Sequence, residues 1–271
     1  MDEHGPLCVG IDPHPGLLDQ WGLPHTVAGL ERFALTCVEA LGGEVAVVKP
    51  QSAFFERHGS AGVAVLERVL EGLRDTGTLS LLDAKRGDIG STMEAYAAAY
   101  LGDDAPLRAD AVTVSPYLGY GSLRPALEAA SETGRGVFVL ALTSNPEGAA
   151  VQHAGGAGRS VAGTVVDGVS ADNADAAARG ELGSVGMVVG ATVGDAVRAL
   201  GLDLAAAHAP LLAPGIGAQG GTADDLRAVF GSALPNVLAS TSREVLGAGP
   251  DPVALRDAAR RAAEGLAVLT V

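Results

Sequence analysis

Short apolar runs recur along the chain and alternate with longer segments of helical periodicity. The apolar runs cover residues 7–12, 44–49, 79–85, 109–115, 136–144, 185–192, 211–217 and 236–242. The clearest helical segments cover residues 26–41, 61–75, 122–132 and 252–269. Because the apolar runs are continuous rather than alternating with polar residues, they predict parallel strands that are buried on both faces.

Eight strand–helix units fit the length of the chain, 271 residues. The simplest fold that uses them all is a (β/α)8 TIM barrel, an α/β fold, and we predict it as a single domain over residues 1–271. An open, doubly wound sheet is the alternative. It lacks support because no GxGxxG follows the first strand and no GxxxxGK[ST] occurs. The Gly/Ala-rich segment 146–163 is predicted to be a long loop that leads into the helix after strand five.

Charge and cysteine content narrow the class of partner. The chain has 18 Lys plus Arg against 32 Asp plus Glu, a formal charge of -14, which argues against nucleic acid or an anionic membrane as the main partner.

The two cysteines, Cys8 and Cys37, form no CxxC motif, so neither a zinc site nor a disulfide framework is indicated, although a single disulfide remains open. The N-terminus lacks the apolar stretch of a signal peptide. We expect a soluble, cytoplasmic protein.

Polar residues close the predicted strands. In a barrel, catalytic groups gather at the carboxyl ends of the strands, and these ends carry Asp12, Lys49, Asp83 with Lys85, Ser115, Ser144 with Asn145, Thr192, Gln219 and Arg243. Asp83 and Lys85 are two positions apart, so on a strand they point to the same side. They could form a structural ion pair or belong to a catalytic site, and Lys49 could equally be a lysine in solvent at a strand end.

A second polar cluster combines 213-APGIGAQGG-221 with 239-ASTSREVL-246. Loops after strands seven and eight of a barrel commonly bind phosphate through backbone amides. Gly215, Gly217, Gly220 and Gly221 would let the backbone approach an anion, and Arg243 would supply a charged fork. The two segments therefore predict a phosphate site, with a simple tight turn as the alternative.

Several blocks in order resemble the orotidine 5'-phosphate decarboxylase family, in particular its second, longer subgroup. They are VGIDP at 9–13, VVKPQSAFFE at 47–56, DAKRGDIGST at 83–92, SPYLGYGSLRP at 115–125, TSNPEG at 143–148, PGIGAQGG at 214–221 and STSREVL at 240–246. The resemblance implies decarboxylation of orotidine 5'-phosphate to UMP and carbon dioxide, the last step of de novo pyrimidine biosynthesis. It also implies that no metal or cofactor is used, and that a homodimer shares its active sites across the interface.

The resemblance also implies a role for individual residues. It assigns an alternating charge array to Lys49, Asp83, Lys85 and Asp88, and ribose contacts to Asp12 and to Thr92 of the partner subunit. Ser144 would meet the pyrimidine ring, and Gln219 and Arg243 would bind the phosphate. Ser115 stands where the subgroup is expected to have Asn, so no role is assigned to it.

Two rival functions remain open from the sequence. The first is a magnesium-dependent sugar-phosphate decarboxylase or aldolase, in which Asp83 and Asp88 would be metal ligands. The second is a noncatalytic ligand-binding or adhesion protein, since residues 86–88 spell RGD. An adhesion tripeptide needs an exposed loop on an extracellular protein, for which the N-terminus gives no signal.

Overall fold

Eight parallel strands form a closed barrel in the computed structural model, which describes residues 4–217 and 220–266. The strands are β1 (Leu7–Ile11), β2 (Val47–Pro50), β3 (Leu79–Arg86), β4 (Ala111–Val114), β5 (Gly136–Leu142), β6 (Val185–Val189), β7 (Leu211–Pro214) and β8 (Val237–Thr241). Each strand pairs with the next in the chain, and β8 pairs with β1. The predicted TIM barrel is confirmed, and the open sheet is wrong.

Helices follow the strands on the outside of the barrel. They are α1 (Pro15–Gln20), α2 (Val27–Leu41), α3 (Ser52–Glu56), α4 (Gly59–Asp75), α5 (Gly90–Leu101), α6 (Arg124–Thr133), α7 (Ala149–Gln152), α8 (Val161–Asp172), α9 (Ala174–Ala178), α10 (Ala196–Leu200), α11 (Ala223–Phe230), α12 (Arg243–Leu246) and α13 (Pro252–Gly265). Short 3-10 turns cover Tyr120–Leu123, Pro146–Gly148 and Gly231–Asn236.

Several of these helices have a side-chain cap at the N-terminus. Thr26 caps α2 by accepting a hydrogen bond from the Gly29 amide, and Ser160 caps α8 by accepting one from the Gly163 amide. Such caps satisfy amides that lack a partner within the helix.

Apolar side chains on the strands or directly before them pack together as one cluster, distinct from the larger cluster that joins strands and helices. Its buried members are Cys8, Ala46, Val47, Leu81, Phe138, Val188, Leu212 and Leu238. Since bulky apolar side chains fill the interior of a TIM barrel, polar groups are left to the strand ends. This packing places the polar residues that close the strands at one end of the barrel.

The segment predicted as a long loop, residues 146–163, is partly helical, so that prediction is corrected. A 3-10 turn at Pro146–Gly148 continues into α7, and α8 begins at Val161. Alanine favours helix in the first part. Gly155, Gly156 and Gly158, all with positive φ, then interrupt it.

Both cysteines are buried free thiols, so the possible disulfide does not form. Burial raises the pKa of the Cys8 thiol to about 12, and such a thiol is poorly reactive. No helix within residues 4–217 and 220–266 is long and apolar enough to cross a membrane.

Candidate active site

A cavity of about 750 Å³ opens at the carboxyl ends of the strands. Its walls include six of the predicted site residues: Asp12, Lys49, Asp83, Lys85, Ser144 and Arg243. Asn145 lines it as well, whereas Ser115 and Thr192 do not. The barrel therefore brings together side chains that lie on five different strands or the loops that follow them.

The Asp83 carboxylate is the most heavily contacted group in the cavity. Its Oδ1 accepts hydrogen bonds from Lys85 Nζ at 2.6 Å and Thr113 Oγ1 at 2.8 Å. Its Oδ2 accepts from Gln51 Nε2 at 2.8 Å and Lys49 Nζ at 3.3 Å. Both oxygens are thus occupied by donors, two of which are ammonium groups.

Asp83 and Lys49 form a buried ion pair. Asp83 is 7% exposed and Lys49 is 6% exposed, so the interpretation of Lys49 as a solvent lysine is wrong. Burial alone would raise the pKa of Asp83, but the charges of Lys49 and Lys85 outweigh it and lower the pKa to about 2. Burial likewise disfavours charge on Lys49, and the Asp12 and Asp83 carboxylates outweigh it and raise the pKa of Lys49. The attraction between opposite charges thus outweighs burial and favours the ionised pair.

Lys85 differs from Lys49 in its access to the cavity. The Lys85 side chain is 46% exposed, against 7% for that of Lys49. These two residues are the only lysines in the sequence. One ammonium group is therefore buried within the ion pair, while the other faces a space that a small molecule can enter.

Asp12 is held in the wall of the cavity by a residue of the loop after β8. Ser242 Oγ donates a hydrogen bond to Asp12 Oδ2 at 2.6 Å. Asp12 Oδ1 is buried and has no hydrogen-bond partner within the described part of the chain. Gly10 permits this arrangement, because a Cβ at that position would lie 2.1 Å from Ser242 Oγ. Asp12 therefore retains one acceptor oxygen for a donor such as a hydroxyl group.

The loop that carries Ser144 is fixed by α7. The Thr143 amide donates to Gln152 Oε1 at 2.9 Å, and Gln152 Nε2 donates to Thr143 Oγ1 at 2.7 Å. Thr143 Oγ1 in turn donates to Asn145 Oδ1 at 2.6 Å. These bonds on both sides of Ser144 hold it at the rim of the cavity.

The predicted phosphate region is described by the structure except at residues 218 and 219. Arg243 lines the cavity, and within residues 4–217 and 220–266 no carboxylate pairs with its guanidinium. The amides of Gly217, Gly220 and Gly221 donate to carbonyls of the same loop rather than pointing to a free site. These three amides are thus engaged within the loop in this conformation, and the phosphate site stays a prediction. Gln219 lies outside the described residues.

Asp88 and Thr92 do not line the cavity. Asp88 follows the end of β3, and its Oδ1 accepts from the amide of Ile89 at 2.8 Å. Thr92 is exposed near the start of α5. A second cavity, of about 490 Å³, adjoins the first and shares Asp83 and Lys85 with it, among other residues. Within one chain, Asp88 and Thr92 are therefore separate from the cavity.

Three residues that contact the site are absent from the sequence prediction. Gln51 and Thr113 hold Asp83, and Ser242 holds Asp12. Gln51 could have been found as the polar residue two positions after Lys49. Thr113 could have been found as a polar residue in the apolar run of β4. Ser242 offers no comparable signal, because its importance comes from a contact across the closure of the barrel.

Comparison with known proteins agrees with the geometry. Residues 5–258 match the model of the "Orotidine 5'-phosphate decarboxylase / HUMPS family". An orotidine 5'-phosphate decarboxylase of Salinispora tropica is 66% identical over 96% of this chain and 92% of its own length. That of Streptomyces coelicolor is 61% identical over 96% and 92%. A solved structure from Streptomyces avermitilis is similar with a TM-score of 0.93 at 60% identity, and the match covers 100% of this chain and 93% of that one. This chain therefore belongs to the orotidine 5'-phosphate decarboxylase / HUMPS family.

Proposed function

We propose that this chain decarboxylates orotidine 5'-phosphate to UMP and carbon dioxide, the last step of de novo pyrimidine biosynthesis. The observation that carries the proposal is the buried Asp83 carboxylate between the only two lysines of the chain, in a cavity that Arg243 also lines. The relatives that bear this name support it, since they are 56–66% identical to this chain.

The chemistry to be catalysed is breakage of the bond between C6 of the pyrimidine and its carboxylate. The electron pair of that bond stays on C6, where no conjugated group accepts it. An ammonium group next to C6 stabilises this charge, and such preorganised electrostatic stabilisation is usually the largest contribution to catalysis. We assign this role to Lys85, which then donates one of its protons to C6. Carbon dioxide leaves, and UMP remains.

Asp83 and Lys49 have supporting roles in this proposal. Asp83 accepts a hydrogen bond from Lys85 Nζ at 2.6 Å, which holds the ammonium group in place. Asp83 also lies next to the departing carboxylate, where repulsion would be relieved as carbon dioxide leaves. Lys49 is buried against Asp83 and stabilises its ionised form. The array thus supplies charge without a metal or a cofactor.

Contacts to the parts of the substrate away from the reacting carbon are proposed as well. Asp12, one oxygen of which has no partner among the described residues, is proposed to accept a hydrogen bond from a ribose hydroxyl group, and Ser144 is proposed to contact the pyrimidine. Gln219 and Arg243 are proposed to bind the phosphate. Binding energy from the phosphate can lower the barrier if it is realised in the transition state, although no bond to phosphorus changes.

A homodimer with shared active sites is proposed to complete the array with Asp88 and Thr92 of the partner. Large apolar side chains are exposed nearby: Ile89 is 61% exposed, Tyr117 is 80% exposed and Leu118 is 54% exposed. The loops that carry them are joined, because the Ser115 amide donates to the Arg86 carbonyl at 2.7 Å. Large apolar side chains that are exposed on neighbouring loops are a feature of association surfaces. They support a partner that brings its own Asp88 towards the cavity.

The chain is further proposed to be a single domain located in the cytoplasm. One closed barrel accounts for the strands of the described residues, which supports a single domain over residues 1–271. Two free, buried cysteines are compatible with a reducing compartment and support a cytoplasmic location.

The proposed activity is tested by following the ultraviolet absorbance of orotidine 5'-phosphate. We expect the protein to consume orotidine 5'-phosphate and to form an equal amount of UMP. Dialysis of the protein against EDTA should leave the rate unchanged. Asp83 supports this expectation, because its four donors leave no position for a cation. Loss of activity in EDTA that magnesium restores would favour the metal-dependent sugar-phosphate lyase, and no turnover at all would favour a noncatalytic protein.

Replacement of Arg243 tests the phosphate assignment. We expect Arg243→Ala to lower kcat/KM for orotidine 5'-phosphate by about 100-fold, since a charged fork to a dianion is lost. Turnover of orotidine, which has no phosphate, should change by less than about threefold. Arg227→Ala is the matched control, because Arg227 lies on α11 outside the cavity walls. Equal losses on the two substrates would refute the assignment.

A further inference from the structure

Thr113 is a buried residue of β4 that contacts both members of the Asp83–Lys85 pair. It is 1% exposed. Its Oγ1 accepts a hydrogen bond from the Lys85 amide at 2.9 Å. The same hydroxyl donates to Asp83 Oδ1 at 2.8 Å. One hydroxyl group therefore ties the backbone of one residue to the carboxylate of the other.

The backbone at Lys85 is in an unusual conformation. Its φ is +49°, in the left-handed region that L-residues rarely adopt, and within the described part of the chain only His208 shares this property among non-glycine residues. The pairing of β3 with β4 shifts register between Leu82 and Arg86. Such an irregularity interrupts the hydrogen bonds between the two strands and changes the direction of a side chain.

The contacts of Thr113 coincide with this irregularity. The Lys85 amide would be left without a partner by the interrupted ladder, and the side chain of Thr113 accepts it instead. Unusual backbone conformations persist only where the surroundings hold them, and they concentrate at functional sites. Here the left-handed turn coincides with the placement of Lys85 Nζ 2.6 Å from Asp83 Oδ1 and within the cavity.

We propose that Thr113 is a positioning residue. Its hydroxyl group fixes the left-handed backbone of Lys85 relative to the Asp83 carboxylate. The Lys85 ammonium group is thereby directed towards the reacting carbon. Thr113 is not among the residues that line the cavity, so it acts through Asp83 and Lys85 rather than on the substrate. This inference rests on the proposed function and adds a residue to which the family resemblance assigned no role.

The test compares Thr113→Val, which keeps the shape of the side chain, with Thr113→Ser, which keeps the hydroxyl. We expect Thr113→Val to lower kcat by about 10- to 100-fold, the effect of losing hydrogen bonds that include one to a charged group. KM should change by less than about threefold, because the ribose and phosphate contacts are untouched. Thr113→Ser should retain kcat to within about threefold.

Thr78→Val is the matched control for loss of a buried hydroxyl group. Thr78 is buried near the start of β3, outside the cavity, and its Oγ1 accepts from the Gly43 amide at 2.6 Å. This variant should lower the temperature of unfolding and leave kcat unchanged. If Thr113→Val does not fold, Thr113→Ala and Thr113→Ser form the deciding pair.

Two failures can be told apart. Wild-type protein without activity on orotidine 5'-phosphate would refute the proposed function. Active wild-type protein with wild-type kcat in Thr113→Val, or with equal losses of kcat in Thr113→Val and Thr113→Ser, would refute the positioning role alone.

Discussion

Lys85→Ala is expected to lower kcat for orotidine 5'-phosphate by about 10,000-fold or more. The substitution removes both the cation that stabilises the charge on C6 and the proton that C6 receives, and each of these contributes at least about 100-fold. Steady-state kinetics at saturating substrate measures the loss, and high enzyme concentration makes the residual rate observable.

The same variant should remain folded. Asp83 keeps hydrogen bonds from Lys49, Gln51 and Thr113 when Lys85 is lost, so the buried carboxylate still has partners. Unchanged circular dichroism and thermal unfolding would establish this. Arg198→Ala, which removes an exposed cation on α10, is the control for charge alone and should be fully active. A folded Lys85→Ala protein with substantial activity would contradict the proposed mechanism.

Asp88→Ala is expected to be nearly inactive as a homodimer, yet to restore activity when mixed with Lys85→Ala. The reason is that Asp88 lies outside the cavity of its own chain and is proposed to act in that of the partner. In the mixed dimer one site carries both lesions and the other carries none. Each heterodimer should therefore show about half of the wild-type activity. Co-expression or joint refolding gives the heterodimers, and native mass spectrometry confirms them.

A pair of residues from a single cavity provides the control for this experiment. Asp83 and Lys85 are in contact within one chain, so a heterodimer of Asp83→Ala and Lys85→Ala has one lesion in each site. No activity should return in that mixture. If the Asp88→Ala and Lys85→Ala mixture also stays inactive, with heterodimers confirmed, Asp88 does not act across the interface.

The order of the secondary structure was predictable because it depends on local patterns. Continuous apolar runs predicted the eight strands, and β3, predicted at 79–85, extends over Leu79–Arg86. The segment 146–163 was predicted less well. Its Gly residues indicate a loop whereas its Ala residues favour helix, and α7 is stabilised by the contact of Gln152 with Thr143.

Much of the site was also predictable, since polar residues that close buried strands of a barrel must meet at one end. This reasoning, together with the family resemblance, identified Asp12, Lys49, Asp83 and Lys85, which all line one cavity. It did not identify Thr113 or Ser242, because their contacts are made between neighbouring strands or across the closure from β8 to β1.

The sequence by itself thus determined the fold class, the family and the charged residues that face the cavity, because periodicity and strand ends are local properties of a chain. Tertiary structure alone decided three other features: the burial of Lys49 against Asp83, the left-handed backbone of Lys85, and the separation of Asp88 from the cavity. The physical reason is that all three features depend on the register of the strands and on the closure of the barrel. Only when neighbouring strands are aligned is it determined which donor reaches a carboxylate and where the hydrogen bonds between two strands are interrupted.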